Sequence, residues 1–220
     1  MDRDTAWKGV EDGRLRLADL LEDLSPAEWE NPSLCGGWRV RDVAAHVTLP
    51  PQAPAVRWAV EFFRYGCSFD RMIRESAIRH AGLPTGEIVA QMRQYAASRK
   101  VPPAPGTGVG TTMMDVLTHT MDITLPLGRP ADIPPEAAVV GLEGAWALKV
   151  PWNPRRRLRG VRCVATDADW AVGEGLEVTG PAEAFLLLLT QRPAAIERLR
   201  GPGLELAAKA LRVPTGHGGS

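Results

Sequence analysis

The stretch MMDVLTHTMDITLPLGRP, Met113 to Pro130, indicates a helix with an unusual polar stripe. Asp115, His119 and Asp122 follow one another at steps of four and three residues, the spacing of one helical face. Apolar side chains share much of that side, namely Met114, Leu117, Met121 and Leu125. A carboxylate beside an apolar core is costly unless a partner compensates its charge, and a metal ion is one such partner. The stretch therefore predicts a helix over residues 111–126 that carries candidate metal ligands.

A second histidine lies in another helix with an apolar face. WRVRDVAAHVT, residues 38–48, has apolar residues at helical spacing and contains His46. Metal sites in helical bundles take side chains that project inward from facing helices. His46, Asp115 and His119 would supply two imidazoles and one carboxylate, and three protein ligands leave one position open, as in catalytic zinc sites. Asp122 could replace Asp115 as a ligand or accept a hydrogen bond from His119.

The rest of the first 150 residues has the apolar spacing of further helices. In residues 4–24 it fits an amphipathic helix with Asp4 or Thr5 as its N-cap. Prolines 50, 51 and 54 are expected to interrupt the helix that contains His46. Further helices are predicted over residues 55–80, 85–99 and 135–149, with a loop at 101–110.

The character of the sequence changes beyond about residue 150. VRCVAT, DWAVG and LEVTG are short segments rich in β-forming residues and predict a small antiparallel sheet. PAEAFLLLLTQRP and PGLELAAKALR return to helical spacing, and the tail GHGGS is expected to be disordered. We therefore predict an α+β protein with a helical metal-binding domain over residues 1–150 and a small α+β domain over residues 151–220.

Composition argues against nucleic-acid and membrane partners. The 220 residues contain 26 Lys+Arg and 26 Asp+Glu, a formal net charge of +0, whereas nucleic-acid proteins usually have a basic excess. The basic run between Arg155 and Arg162 is interpreted as a solvated or substrate-facing cluster. The longest apolar run, AFLLLLT, is too short to span a bilayer, and the charged N-terminus lacks a signal core. Three cysteines without paired spacing fit a reducing cytoplasm.

Cys35 is the one cysteine that precedes a candidate ligand helix. A nucleophilic role would need a histidine partner, and no histidine occupies a recognisable partner position in the sequence. We therefore expect Cys35 to serve packing.

Two motifs resemble those of a known family. LCGGWRVRDVAAHVT is similar to the Cys-x-x-Trp-x-Val-x-Asp-x-x-x-His segment of the DinB-like metalloprotein superfamily, and DVLTHTMDITLPLGRP resembles its acidic-x-x-x-His-x-x-Asp signature. Within it, the chain most resembles the mycothiol-dependent maleylpyruvate isomerase family of actinobacteria. VRCVATDADWAV and GLEVTGPAEAFLLLLTQRPAAIERLRG resemble that family's C-terminal unit, so the resemblance covers nearly the whole chain.

The resemblance implies a DinB-like four-helix bundle that holds a divalent metal, usually zinc. The ligands carried over are His46, Asp115 and His119. The family has Glu where this chain has Asp115, and the shorter side chain implies that the metal lies nearer that helix or that Asp122 assists. Iron, nickel or manganese would also suit these ligands. Arg192, in LLLTQRP, occupies the position of an arginine that the family places near the metal, and otherwise is a surface or helix-end residue.

Family members use the metal to activate a low-molecular-weight thiol, mycothiol, for attack on a small electrophile. The outcome is either S-transfer or cis–trans isomerisation, and the motifs do not separate the two or identify the substrate. A different interpretation is a non-catalytic metal or small-molecule binding protein with the same fold. A third is that Asp115 has weakened the site and left a structural relic. Both a monomer and a homodimer are compatible with the sequence.

Overall fold

The computed structural model describes residues 2–52 and 55–211. Two compact units divide the chain between Asp132 and Ile133. This division precedes the predicted boundary at residue 150, because α8 (Pro135–Ala147), which we assigned to the first domain, packs against α10 (Ala182–Leu189) of the second unit. Pro54 and the tail GHGGS, which we expected to break a helix and to be disordered, lie outside the described residues.

The first unit is helical. Its helices are α1 (Arg3–Glu22), α2 (Pro26–Glu30), α3 (Val40–Gln52), α4 (Ala55–Arg64), α5 (Phe69–His80), α6 (Thr85–Gln94) and α7 (Val109–Thr124). Helix α1 begins earlier than predicted, because the Asp2 carboxylate accepts hydrogen bonds from the backbone N–H groups of Asp4 and Thr5. The N-cap is therefore Asp2, and our prediction of Asp4 or Thr5 was wrong.

Four of these helices form the predicted bundle. Helices α1 and α3 each pack against both α6 and α7, so the four helices close a ring around one core. Each contributes buried apolar side chains at helical spacing: Val10, Leu17 and Leu21; Val43 and Val47; Ile88 and Met92; Met113, Leu117 and Met121. The ring places the faces of α3 and α7 that carry the candidate ligands next to each other.

Several helices differ from their predicted bounds, and α6 ends at Gln94 rather than at residue 99. Helix α3 continues through Pro50 and Pro51 to Gln52, so these prolines lie in its last turns instead of interrupting it. The helix predicted over residues 55–80 is two helices, α4 and α5. The chain turns between them at Gly66 and Cys67, whose φ angles are 69° and 60°, and left-handed backbone of this kind ends a helix.

The second unit combines helices with a small sheet. Besides α8 and α10 it contains α9 (Pro154–Arg157), β1 (Gly160–Ala165), β2 (Ala171–Gly173), β3 (Gly175–Gly180), a 3-10 helix (Pro193–Arg198) and α11 (Leu204–Leu211). The strand order is β2-β1-β3. Apolar side chains of the sheet and of α10 are buried, including Val161, Cys163, Val178 and Phe185. Burial raises the pKa of the Cys163 thiol to about 12.

The sheet is mixed, and the prediction of an antiparallel sheet was wrong for one pair. Strand β1 is antiparallel to β2 but parallel to β3. This is possible because the chain crosses from one side of β1 to the other within Gly173, Glu174 and Gly175. A Cβ at Gly173 would lie 2.3 Å from the Val161 carbonyl oxygen, and one at Gly175 would lie 2.2 Å from that of Gly160. Only glycine permits this close crossing.

Across residues 2–52 and 55–211, none of the helices combines the length and the apolar character needed to cross a membrane.

Candidate metal centre

The structure brings together the three residues that the sequence assigned as ligands. His46 projects from α3, and Asp115 and His119 project from adjacent turns of α7. The Asp115 Oδ1 atom lies 3.4 Å from His119 Nε2 and 3.6 Å from His46 Nε2. The two imidazole rings are nearly perpendicular, at 80°, with centroids 4.9 Å apart. Two nitrogen atoms and one carboxylate oxygen therefore converge on one point between the helices.

These separations fit the ligand shell of a small divalent cation. Zinc binds imidazole nitrogen and carboxylate oxygen at about 2.0–2.1 Å in tetrahedral geometry, so two such ligands lie roughly 3.3 Å apart. The measured separations of 3.4 and 3.6 Å from Asp115 are close to this value and longer than an ordinary hydrogen bond. Asp115 also reaches both histidines despite its short side chain. The residues present therefore fit the metal that the resemblance implies.

The three side chains are unequally exposed. The histidine side chains are each 11% exposed, whereas that of Asp115 is 30% exposed. The imidazoles are thus nearly buried, whereas the carboxylate is partly in contact with solvent. A coordination position left open by three protein ligands would thus be accessible from the side of Asp115.

Asp122 contacts the opposite side of the His119 ring. Its Oδ2 atom lies 2.8 Å from His119 Nδ1, and its side chain is fully buried. Because Asp122 faces Nδ1 while Asp115 faces Nε2, the geometry favours the hydrogen-bonding role for Asp122 over the alternative that it replaces Asp115. A proton held on Nδ1 leaves Nε2 available for a metal.

The acidic and imidazole side chains of the site shift one another's pKa values. Partial burial opposes ionisation of Asp115, but the nearby imidazoles of His119 and His46 outweigh it and lower the pKa of that carboxyl. Burial likewise opposes protonation of His119, but Asp115 and Asp122 outweigh it and raise the pKa of that imidazole well above its usual value. His119 thus lies between two carboxylates, and both favour the protonated form of its ring. A divalent cation would replace the proton on its Nε2.

Cys35 is closer to the site than we expected. Its Sγ atom lies 3.0 Å from Asp122 Oδ2 and 3.8 Å from His119 Nδ1. The sequence showed no recognisable histidine partner for Cys35, but the structure brings His119 near it, because the loop before α3 folds back onto α7. Cys35, His119 and Asp122 form a second group of potential ligands. However, the separations of 2.8 and 3.0 Å within this group match hydrogen bonds better than the edges of a metal polyhedron.

Trp38 is a further residue near the site. Its ring centroid lies 5.4 Å from that of His46, and Cys35 precedes it by three residues. One sequence motif could have indicated that both Cys35 and Trp38 lie near the site. Cys35 and Trp38 belong to the same motif as His46, directly before the ligand helix.

Arg192 lies in the second unit, immediately before the 3-10 helix Pro193–Arg198. Its Nη1 group donates a hydrogen bond to the Thr190 carbonyl oxygen at 2.7 Å. Its role in carboxylate recognition stays a prediction. His80 lies outside the ligand cluster and contacts Gln91 Oε1 at 2.7 Å, and His217 is outside the described residues.

Comparisons with known proteins agree with the resemblance. Residues 10–124 match the family model described as the mycothiol maleylpyruvate isomerase N-terminal domain. The solved structure of a mycothiol-dependent maleylpyruvate isomerase is similar, with a TM-score of 0.57 and 14% identity over 92% of this chain and 93% of that one. A histidine-to-alanine mutant of a mycothiol-dependent maleylpyruvate isomerase gives a TM-score of 0.58 and 13% identity, with coverage of 92% and 93%. No curated protein matches the sequence significantly.

Proposed function

The chain belongs to the mycothiol maleylpyruvate isomerase N-terminal domain family, and from that premise we propose that it is a metal-dependent, mycothiol-using enzyme of the cytoplasm. Its reaction would be the attack of an activated thiol on a small electrophile, ending in isomerisation or S-transfer. The observation that supports this most directly is the convergence of His46, Asp115 and His119 at separations of 3.4 and 3.6 Å from the carboxylate.

The two histidines and Asp115 would hold the metal, most suitably zinc. When bound there, a divalent cation supplies the Lewis acidity that lowers the pKa of a coordinating thiol and so provides a thiolate near neutral pH. Thiolates are the nucleophilic form of thiols, so this is the chemistry that a thiol-dependent reaction needs.

The chain's own residues prepare the site for this chemistry. Asp115 contributes a negative charge that attracts the cation, while the bundle core fixes α3 and α7 and hence the direction of both imidazoles. Asp122 accepts the Nδ1–H of His119 and keeps the Nε2 atom directed at Asp115. The Asp115 side chain is 30% exposed, and a thiol and an electrophile are proposed to approach from that side.

Arg192 is proposed to bind a carboxylate of the substrate, on the basis of its position in LLLTQRP. Arg192→Ala is then expected to raise KM for an acidic electrophile about tenfold or more, because a charged hydrogen bond contributes roughly 1.5–3 kcal/mol. Steady-state kinetics beside Lys149→Ala, at an exposed basic residue of the same unit, would measure this. An unchanged KM in Arg192→Ala would assign the residue to the scaffold.

The test of the proposed function is thiol-dependent turnover with and without metal. The purified protein is supplied with mycothiol and maleylpyruvate, the substrate named for the structural relatives. Product should form with both thiol and metal present, stop after chelation and return when zinc is added. Isomer or S-conjugate in the product mixture distinguishes the two outcomes. Metal and thiol binding without any product would favour the non-catalytic binding protein.

A further inference from the structure

The loop between α2 and α3 contacts the candidate metal centre with the thiol of Cys35. Backbone hydrogen bonds close this loop on itself, from Ser33 N–H to the Trp38 carbonyl and from Trp38 N–H to the Cys35 carbonyl, each at 2.9 Å. The Ser33 hydroxyl accepts the backbone N–H of Cys35. These bonds fix the direction in which the Cys35 side chain leaves the loop.

The same loop is anchored to α7 at one residue. The Leu34 backbone N–H donates to the Asp122 carbonyl oxygen at 3.0 Å, and the neighbouring Cys35 Sγ–H donates to Asp122 Oδ2, also at 3.0 Å. His119 Nδ1 lies 2.8 Å from the same oxygen atom. Asp122 Oδ2 thus contacts both the Cys35 thiol and the ring of His119, a proposed metal ligand.

We infer that Cys35 is a positioning residue for the metal centre, acting on His119 through Asp122. A buried carboxylate needs donors to stay ionised and oriented, and the Cys35 thiol is one of them. With Oδ2 held from the loop side, Asp122 presents a fixed acceptor to Nδ1–H and so holds the rotation of the His119 ring. This inference rests on the proposed metal site, but it concerns a contact that exists without metal.

A double-mutant cycle that measures zinc affinity tests whether Cys35 acts through Asp122. Cys35→Ala should weaken zinc binding about tenfold, within the range seen when outer partners of metal ligands are lost. Cys35→Ser should recover part of this loss, because a hydroxyl can still donate to Asp122. In an Asp122→Asn background, Cys35→Ala should have little further effect, since the residue it acts through has been changed. Cys67→Ser, at an exposed cysteine, is the matched control.

The inference would be overturned if the effects of the Cys35 and Asp122 substitutions on zinc affinity were additive. If Cys35→Ala costs as much in the Asp122→Asn background as in the parent, or if serine is no better than alanine, Cys35 only packs. Affinity is read by competition with a chromophoric zinc chelator, after far-UV circular dichroism has shown that each variant is folded.

A metal-free measurement separates this inference from the proposed function. Histidine-ring ¹H–¹⁵N spectra of the apo protein should show a slowly exchanging Nδ1–H on His119 in the parent and in Cys67→Ser, and faster exchange in Cys35→Ala. Equal exchange in all three would contradict the inference. A parent protein that holds no zinc would instead contradict the proposed function, and the exchange rates would still decide the role of Cys35.

Discussion

His119→Ala is expected to reduce bound metal from near one equivalent to a trace. His119 is one of the three proposed protein ligands, and its Nε2 atom lies 3.4 Å from Asp115 Oδ1, so its removal would leave a two-ligand site. The loss of affinity should exceed the ten- to hundredfold typical of outer partners. Elemental analysis of the purified parent and variant, after incubation with zinc and gel filtration, measures the effect.

The appropriate control for this experiment is another histidine of the same unit. His80 lies on α5, contacts Gln91 and lies outside the ligand cluster, so His80→Ala should retain the metal of the parent. His46→Ala should behave like His119→Ala, because both rings face the same carboxylate oxygen. Full metal occupancy in either ligand variant would refute the assignment.

Asp115→Asn is expected to have the second largest effect. The change keeps the size of the side chain and removes the negative charge that the three proposed ligands offer to a cation. Zinc affinity should fall by more than about a hundredfold, because attraction between a cation and a carboxylate in a partly buried site is strong. Isothermal titration with zinc measures this. An affinity equal to that of the parent would indicate that Asp122 acts as the carboxylate ligand.

Asp115→Glu introduces the residue that the resemblance implies for this position, yet it is expected to weaken binding rather than improve it. The aspartate oxygen already lies 3.4 and 3.6 Å from the two imidazole nitrogens, so an extra methylene must push the carboxylate past the point where the ligands converge. Tighter zinc binding by Asp115→Glu would show that the bundle can widen around the longer side chain.

The helical part of the fold was predictable because apolar spacing is a local property. The helical spacing of apolar residues around Val43 and Leu117 locates helices α3 and α7 and identifies their buried faces. The break at Gly66 and Cys67 was missed because nothing in the apolar pattern of residues 55–80 marks a left-handed turn. The parallel pairing of β1 and β3 was missed for a different reason. The direction of β3 depends on the three residues that carry the chain from one side of β1 to the other. The sequence alone does not show on which side of β1 a strand after such a short connection pairs.

The candidate site was predictable to a similar extent. His46, Asp115 and His119 follow from helical spacing together with the family motifs, and the structure brings them together. The contact between Cys35 and Asp122 could not be derived, because these residues are 87 positions apart in the sequence and the contact depends on the path of a loop. Helical periodicity carries no information about where such a loop docks.

The unequal exposure of the ligands has a kinetic consequence. Water and chelators reach the Asp115 carboxylate first, whereas the two imidazoles are shielded by the bundle. If these residues held a divalent cation, Asp115 would be the ligand most open to competition from solvent, and the two histidines would be the ligands best protected from it. A small chelator that enters beside Asp115 would extract the metal faster than a bulky one of equal strength.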